Sequence, residues 1–241
     1  MKHFYILLII LMTIALTDRA WAIIGEKDDL LGGNVDVKIL AQNFSGEANS
    51  NEFHIWGSVR LEKDEATLEA DDIKFNAKTN IAVASGNVVF SQPGTVLSGN
   101  TVTVEYKQKK GVWAGNVKIV QTKAPEKGTE KLQKTFKDGP VTIVSDTLEF
   151  TWDEPGRVVA GGRVQANQKD KHVYADTATY ISSPQSLTLN GHVQLRRDDG
   201  SSLICEKLVM DLKQNTFEAM RSPASQIKVD FYFDKKKKGL F

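Results

Sequence analysis

A Gly-x-Val triplet returns along this chain at a nearly fixed interval, and that repetition limits what the chain can fold into. The copies are Gly57-Ser58-Val59, Gly86-Asn87-Val88, Gly115-Asn116-Val117, Gly162-Arg163-Val164 and Gly191-His192-Val193. The steps between glycines are 29, 29, 47 and 29 residues, the long one being 29 plus an 18-residue insertion. Such a period marks a repeat architecture, in which no unit has a core of its own and stacking supplies one. Function then belongs to the long surface or trough that the units share.

Within each repeat the residues alternate. After the glycine come Val59-Arg60-Leu61, Val88-Val89-Phe90, Val117-Lys118-Ile119, Val164-Gln165-Ala166 and Val193-Gln194-Leu195, apolar at both outer positions. About 11 residues later a second segment begins, as in Leu68 to Phe75, Leu97 to Val104 and Ile143 to Phe150. This is the period-2 pattern of strands with one buried face. In the second segment the alternation slips by one residue at Asp71, Asn100, Asp146, Asp176 or Glu206. A slip in period 2 has to be absorbed by a corner or bulge, or the side chains would change faces. A third apolar stretch, such as Ile81-Ala82-Val83 or Leu187-Thr188-Leu189, leads into the next glycine. No segment sustains a capped helical pattern, so the chain is predicted to be all-β. The inward phase collects Val59, Leu61, Phe75, Val88, Phe90, Val102, Val104, Val117, Ile119, Leu148, Phe150, Val193 and Leu195. Closed sheets would make this set a core, and splayed sheets would make it a groove.

The ends carry their own signals. Lys2 and His3, an apolar run from Phe4 to Leu16 and Ala20-Trp21-Ala22 have the order of a secretory leader. This 13-residue run is short of the roughly 20 apolar residues that a membrane span needs. Residues 1–22 are therefore expected to be a signal peptide cleaved near Ala22, with 23–241 as one β domain. A single cysteine, Cys205, excludes an intrachain disulfide, so the exported domain must rely on its core. The formal charge of +1 gives no argument for a nucleic-acid partner. The insertion, at about 121–140, is basic and poor in apolar residues, and reads as an exposed loop. A sheet that does not close leaves edge strands, expected here at Val35, Val37 and Ile39 and at Ile227, Val229 and Phe231.

No catalytic, metal or cofactor motif is recognised. The recurring acids could be proposed as a carboxylate array, but they occupy one equivalent position per repeat, where Asp and Asn suit a corner. Trp56 and Trp113, each just ahead of a glycine, are expected in core or rim, with sugar stacking as the rival use. The reading from residues thus leaves two classes open: a non-enzymatic lipid carrier, and an exported glycan-binding or adhesin-type protein.

The segments Ala84-Ser85-Gly86-Asn87-Val88-Val89-Phe90-Ser91-Gln92, Ala114-Gly115-Asn116-Val117-Lys118-Ile119 and Leu68-Glu69-Ala70-Asp71-Asp72-Ile73 resemble those of the OstA-like (LptA) family. The likeness runs from about Val35 to Val229. It implies an open β-jellyroll, twisted into a trough. It implies a periplasmic location, acyl chains of lipopolysaccharide (its lipid A part) held by the inward set, and a bridge from inner to outer membrane. The implied partners are LptC-like and LptD-like proteins and further copies of the chain, joined head to tail. If the leader were retained, an anchored LptC-like subunit would be implied instead. The basic insertion and the missing sixth glycine, near Met220 to Ser222, depart from the family pattern.

Overall fold

The computed structural model describes residues 37–47, 49, 51–123, 138–214 and 216–230. The proposed signal peptide, Val35, Phe231 and the middle of the insertion lie outside these. Among the described residues, fourteen strands form one antiparallel sheet. Two short strands open it, β1 (Lys38–Leu40) and β2 (Asn43–Glu47). Ten long ones follow: β3 (Glu52–Lys63), β4 (Ala66–Asn76), β5 (Ile81–Gln92), β6 (Thr95–Glu105), β7 (Lys110–Gln121), β8 (Val141–Thr151), β9 (Arg157–Gln168), β10 (Lys171–Ile181), β11 (Ser186–Arg197) and β12 (Ser202–Asp211). Two short strands close it, β13 (Thr216–Met220) and β14 (Lys228–Asp230). From β3 to β12 every strand pairs with its sequence neighbours, and the two ends of the path do not pair with each other. The chain is an open, repeat-built β-jellyroll.

Each repeat holds two long strands. The apolar stretch before a glycine and the Val-x-apolar triplet after it belong to one strand, as Val112 to Ile119 do in β7. Two successive residues of positive φ bend the strand without ending it: Gly57/Ser58, Gly86/Asn87, Gly115/Asn116, Gly162/Arg163 and Gly191/His192. The register shifts there, for instance between Ser98/Thr101 on β6 and the facing Ala114 and Lys118 on β7. The strand with the glycine carries one extra residue, which is a bulge. The facing acid supports it. A Cβ on Gly86, Gly162 or Gly191 would come within 2.3 Å of a carboxylate oxygen of Asp71, Asp146 or Asp176. Those acids also hold the residue after the glycine. Asn87 donates to Asp71 at 2.9 Å, Arg163 to Asp146 at 2.6 Å, and His192 Nδ1 lies 2.8 Å from Asp176. The recurring acid is therefore a corner residue at three of the five bends, with Gln42 facing Gly57 and Asn100 facing Gly115 in its place, and Arg163 holds the Asp146 carboxyl below its ordinary range by hydrogen bonding to it.

Burial follows the slip read from the sequence. On β8, Val141, Ile143 and Ser145 are buried, then Leu148 and Phe150, with Asp146 at the change of phase. On β7 the phase is kept across the bulge, with Trp113, Val117 and Ile119 buried. The two halves of every bent strand thus face one shared interior, a contiguous apolar cluster from Val59 to Met210.

Candidate functional site

Two rows of inward side chains run the length of the sheet, one in each half of the bend. The first passes through Phe53, Phe75, Ala82, Val104, Gly111, Phe150, Val158, Tyr180, Leu187, Met210 and Phe217. The second passes through Ile39, Leu61, Leu68, Phe90, Leu97, Ile119, Ile143, Ala166, Val173, Leu195, Leu203 and Val229. Both rows are buried in mid-sheet and exposed at the ends. Phe217 is 41% exposed, Phe53 39%, Ile39 51% and Val229 44%. Of the inward set predicted from the sequence, Val59, Val88, Phe90, Val102, Val104, Val117, Ile119, Leu148, Phe150, Val193 and Leu195 are buried in the common cluster. Leu61 is partly buried against it. Phe75, half-buried, stacks on Phe53 at 6.4 Å and meets Tyr106 edge-on at 6.2 Å. Phe44 extends this ring series to the first edge, 6.3 Å from Phe53.

The long margins of the interior differ in chemistry. At the first row's margin, Tyr106, Trp152 and Leu212 add partly buried apolar bodies. Phe150 occupies the space above Gly111, where a Cβ would lie 1.9 Å from its ring. Burial alone raises the Tyr106 and Tyr180 phenols. The opposite margin is polar: Thr95, Gln121, Gln168 and Lys171 are all buried there. Lys171, with a side chain only 3% exposed, bonds to Asp138 at 2.7 Å. Gln168 Nε2 donates to the Gly139 carbonyl at 3.0 Å. Arg197 bonds to Asp170 at 2.8 Å and lies 3.2 Å from Asp199. Hydrogen bonds from Lys171 and Arg197 hold the Asp138 and Asp170 carboxyls below their ordinary values. Sequence reasoning missed this margin, although a signal was present: six residues after each glycine stand Lys63, Gln92, Gln121, Gln168 and Arg197.

Three expectations are corrected. The edges are not single strands around Val37 and Ile227. Val37 precedes β1 and Ile227 precedes β14, while Ile39 and Val229 lie within those strands. Each edge is split in two, and β2 and β13 were not foreseen. Trp56 and Trp113 are not equivalent either. Trp56 stands one residue ahead of its glycine and Trp113 two, and one residue in a strand changes the face. Trp113 is in the core, while Trp56 is half-buried and stacks on His54 at 4.4 Å. Finally, the insertion is not free at its roots. Gln121 pairs with Val141 across it, and Asp138 and Gly139 are bonded as above.

An all-β repeat sheet with a continuous apolar inner face, whose two ends do not pair with each other among the described residues, defines an open β-jellyroll. Residues 67–216 match the family described as "LptA/(LptD N-terminal domain) LPS transport protein". The match spans more than half of the 241 residues, and the chain belongs to that family. Among solved structures, it is similar to LptH of Pseudomonas aeruginosa, described as the LptA-homologous periplasmic component of the lipopolysaccharide transport device. The identity is 20% over 69% of this chain and 94% of that one, and the superposition is loose, at a TM-score of 0.29. No curated protein matches the chain.

Proposed function

We propose that this chain is a periplasmic, non-enzymatic carrier that holds the acyl chains of lipopolysaccharide between the halves of its bent sheet. The observation that carries the reading is the pair of inward rows, apolar apart from the Tyr180 hydroxyl and opening to solvent at both ends. Each methylene moved from water into such a lining gains about 0.8 kcal/mol, so part of one acyl chain already binds usefully. The lining proposed is Val59, Leu61, Phe75, Val88, Phe90, Val102, Val104, Val117, Ile119, Leu148, Phe150, Val193 and Leu195. Family membership supports the periplasmic location, and the proposed leader, with cleavage near Ala22, accords with it. The partners proposed are an LptC-like protein on the inner-membrane side and an LptD-like protein on the outer.

Bridging follows from the edges. The main path has 12 strands, an even number, so a second copy can continue the ladder antiparallel without breaking the alternation. In that register Asp230 meets Lys38, Val229 meets Ile39, and Phe217 meets Gly46. Val229→Pro removes a ladder donor and is expected to weaken association in sedimentation, whereas strict monomers at all concentrations would exclude it.

The reading is tested by replacing Phe90 with a photo-crosslinking amino acid in living cells and blotting the adduct for lipopolysaccharide. A light-dependent adduct is expected. None from Phe90, with the protein folded and exported, refutes the reading.

A further inference from the structure

Tyr180 is an anomaly in the apolar row. It lies on β10 between Val158 of β9 and Leu187 of β11, both buried, and is itself only 1% exposed. Its hydroxyl is buried and has no hydrogen-bond partner among the described residues. Elsewhere in the interior a hydroxyl is satisfied: Ser145 donates to the Thr147 carbonyl at 2.9 Å. A buried hydroxyl left unbonded opposes folding, and phenylalanine would fill the same space without that cost. Burial raises the phenol, so it stays protonated and able to donate at neutral pH.

We propose that the Tyr180 hydroxyl is a specificity-determining group for the trough, donating a hydrogen bond to an oxygen borne by a hydroxylated acyl chain. This rests on the acyl-chain reading above. The surroundings decide the class of ligand. Val158, Leu187, Phe150 and Met210 share the row, so a charged or sugar group would be desolvated there without compensation. A single hydroxyl on an otherwise aliphatic chain fits: the chain meets the apolar row and its oxygen meets the phenol. A hydroxyl-free chain of equal length would leave the phenol unbonded, and so would bind less tightly.

The test uses the mature protein stripped of lipid, with β-hydroxymyristate and myristate as probes displacing a fluorescent fatty acid. Wild type is expected to prefer the hydroxylated chain by about 3- to 10-fold, the range for one buried neutral hydrogen bond. Tyr180→Phe should abolish that preference and leave the melting temperature unchanged or higher. Equal affinities in wild type, a preference that survives Tyr180→Phe, or a lowered melting temperature would each overturn the proposal. The last would mean that the hydroxyl already has a partner in the protein. Binding of neither probe by wild type would remove the acyl-chain reading itself, and this proposal with it.

Discussion

The two long margins of the interior are built by the same strands and face the same space, yet they are closed by opposite chemistry. At one, Tyr106, Trp152 and Leu212 pack against the cluster that holds Phe150, Tyr180 and Met210, and the Tyr180 hydroxyl has no partner among the described residues. At the other, Gln168 and Lys171 are tied to Gly139 and Asp138, and Arg197 to Asp170. Apolar contact is non-directional, so a lipid chain can replace it at little cost. An ion pair and amide bonds are directional and leave unpaired groups when broken. On the proposed reading, the trough should yield on the aromatic side and hold on the polar side.

The largest effect should come from the aromatic side. Phe150→Ala removes a ring that also covers Gly111, which has no side chain with which to fill the hole. A loss of about 3–5 kcal/mol in urea unfolding is expected. A loss below about 1 kcal/mol would mean that this margin is not packed.

On the polar side, Asp138→Ala removes the ion-pair partner of the buried Lys171 and should cost about 1–2 kcal/mol, less than for a fully buried pair because the Asp138 side chain is 37% exposed. Adding Lys171→Met should recover most of it, because an apolar side chain needs no counter-ion. No recovery in the double variant would show that the pair is not the fastening. The pH dependence has a definite sign. The folded-state pKa of Asp138 is depressed below 3.8, so its contribution is present above that value and lost as pH falls through the folded pKa. Lys171→Met should flatten this acid limb of the stability curve.

The smallest effect tests where the fastening begins. Replacing 124–137 with a short Gly-Ser turn should change stability by no more than about 0.5 kcal/mol, since loop length costs little. Extending the deletion through Asp138 and Gly139 should add the full penalty of breaking the polar side. Equal stability of the two deletions would erase the distinction between root and loop.

The repeat and its corners were legible because they are written in local residues. Gly-x-Val needs a positive φ pair, and the acid that slips the alternation is the one seated over the glycine. The inward set was legible from phase alone. Strand continuity through Gly115-Asn116 was not, since a bulge and a turn have the same local signature until the ladder on both sides is known. The polar margin was hidden for a related reason. Gln121 and Gln168 look like ordinary strand-end polars, and their bonds to Lys123 and Gly139 depend on where the roots of the insertion lie. Tyr180 alternates like any apolar neighbour, so nothing in the sequence marks its hydroxyl as unpaired.

The central claim is that acyl chains lie inside the bent sheet along its aromatic side. Purified protein carrying a photo-crosslinking amino acid at Phe150, at Gln121 or at the outward Lys118 can be irradiated with lipopolysaccharide and the adducts compared. A strong adduct from Phe150, a weak one from Gln121 and none from Lys118 are predicted. Adducts of equal yield from all three positions, or from Lys118 alone, would contradict the account.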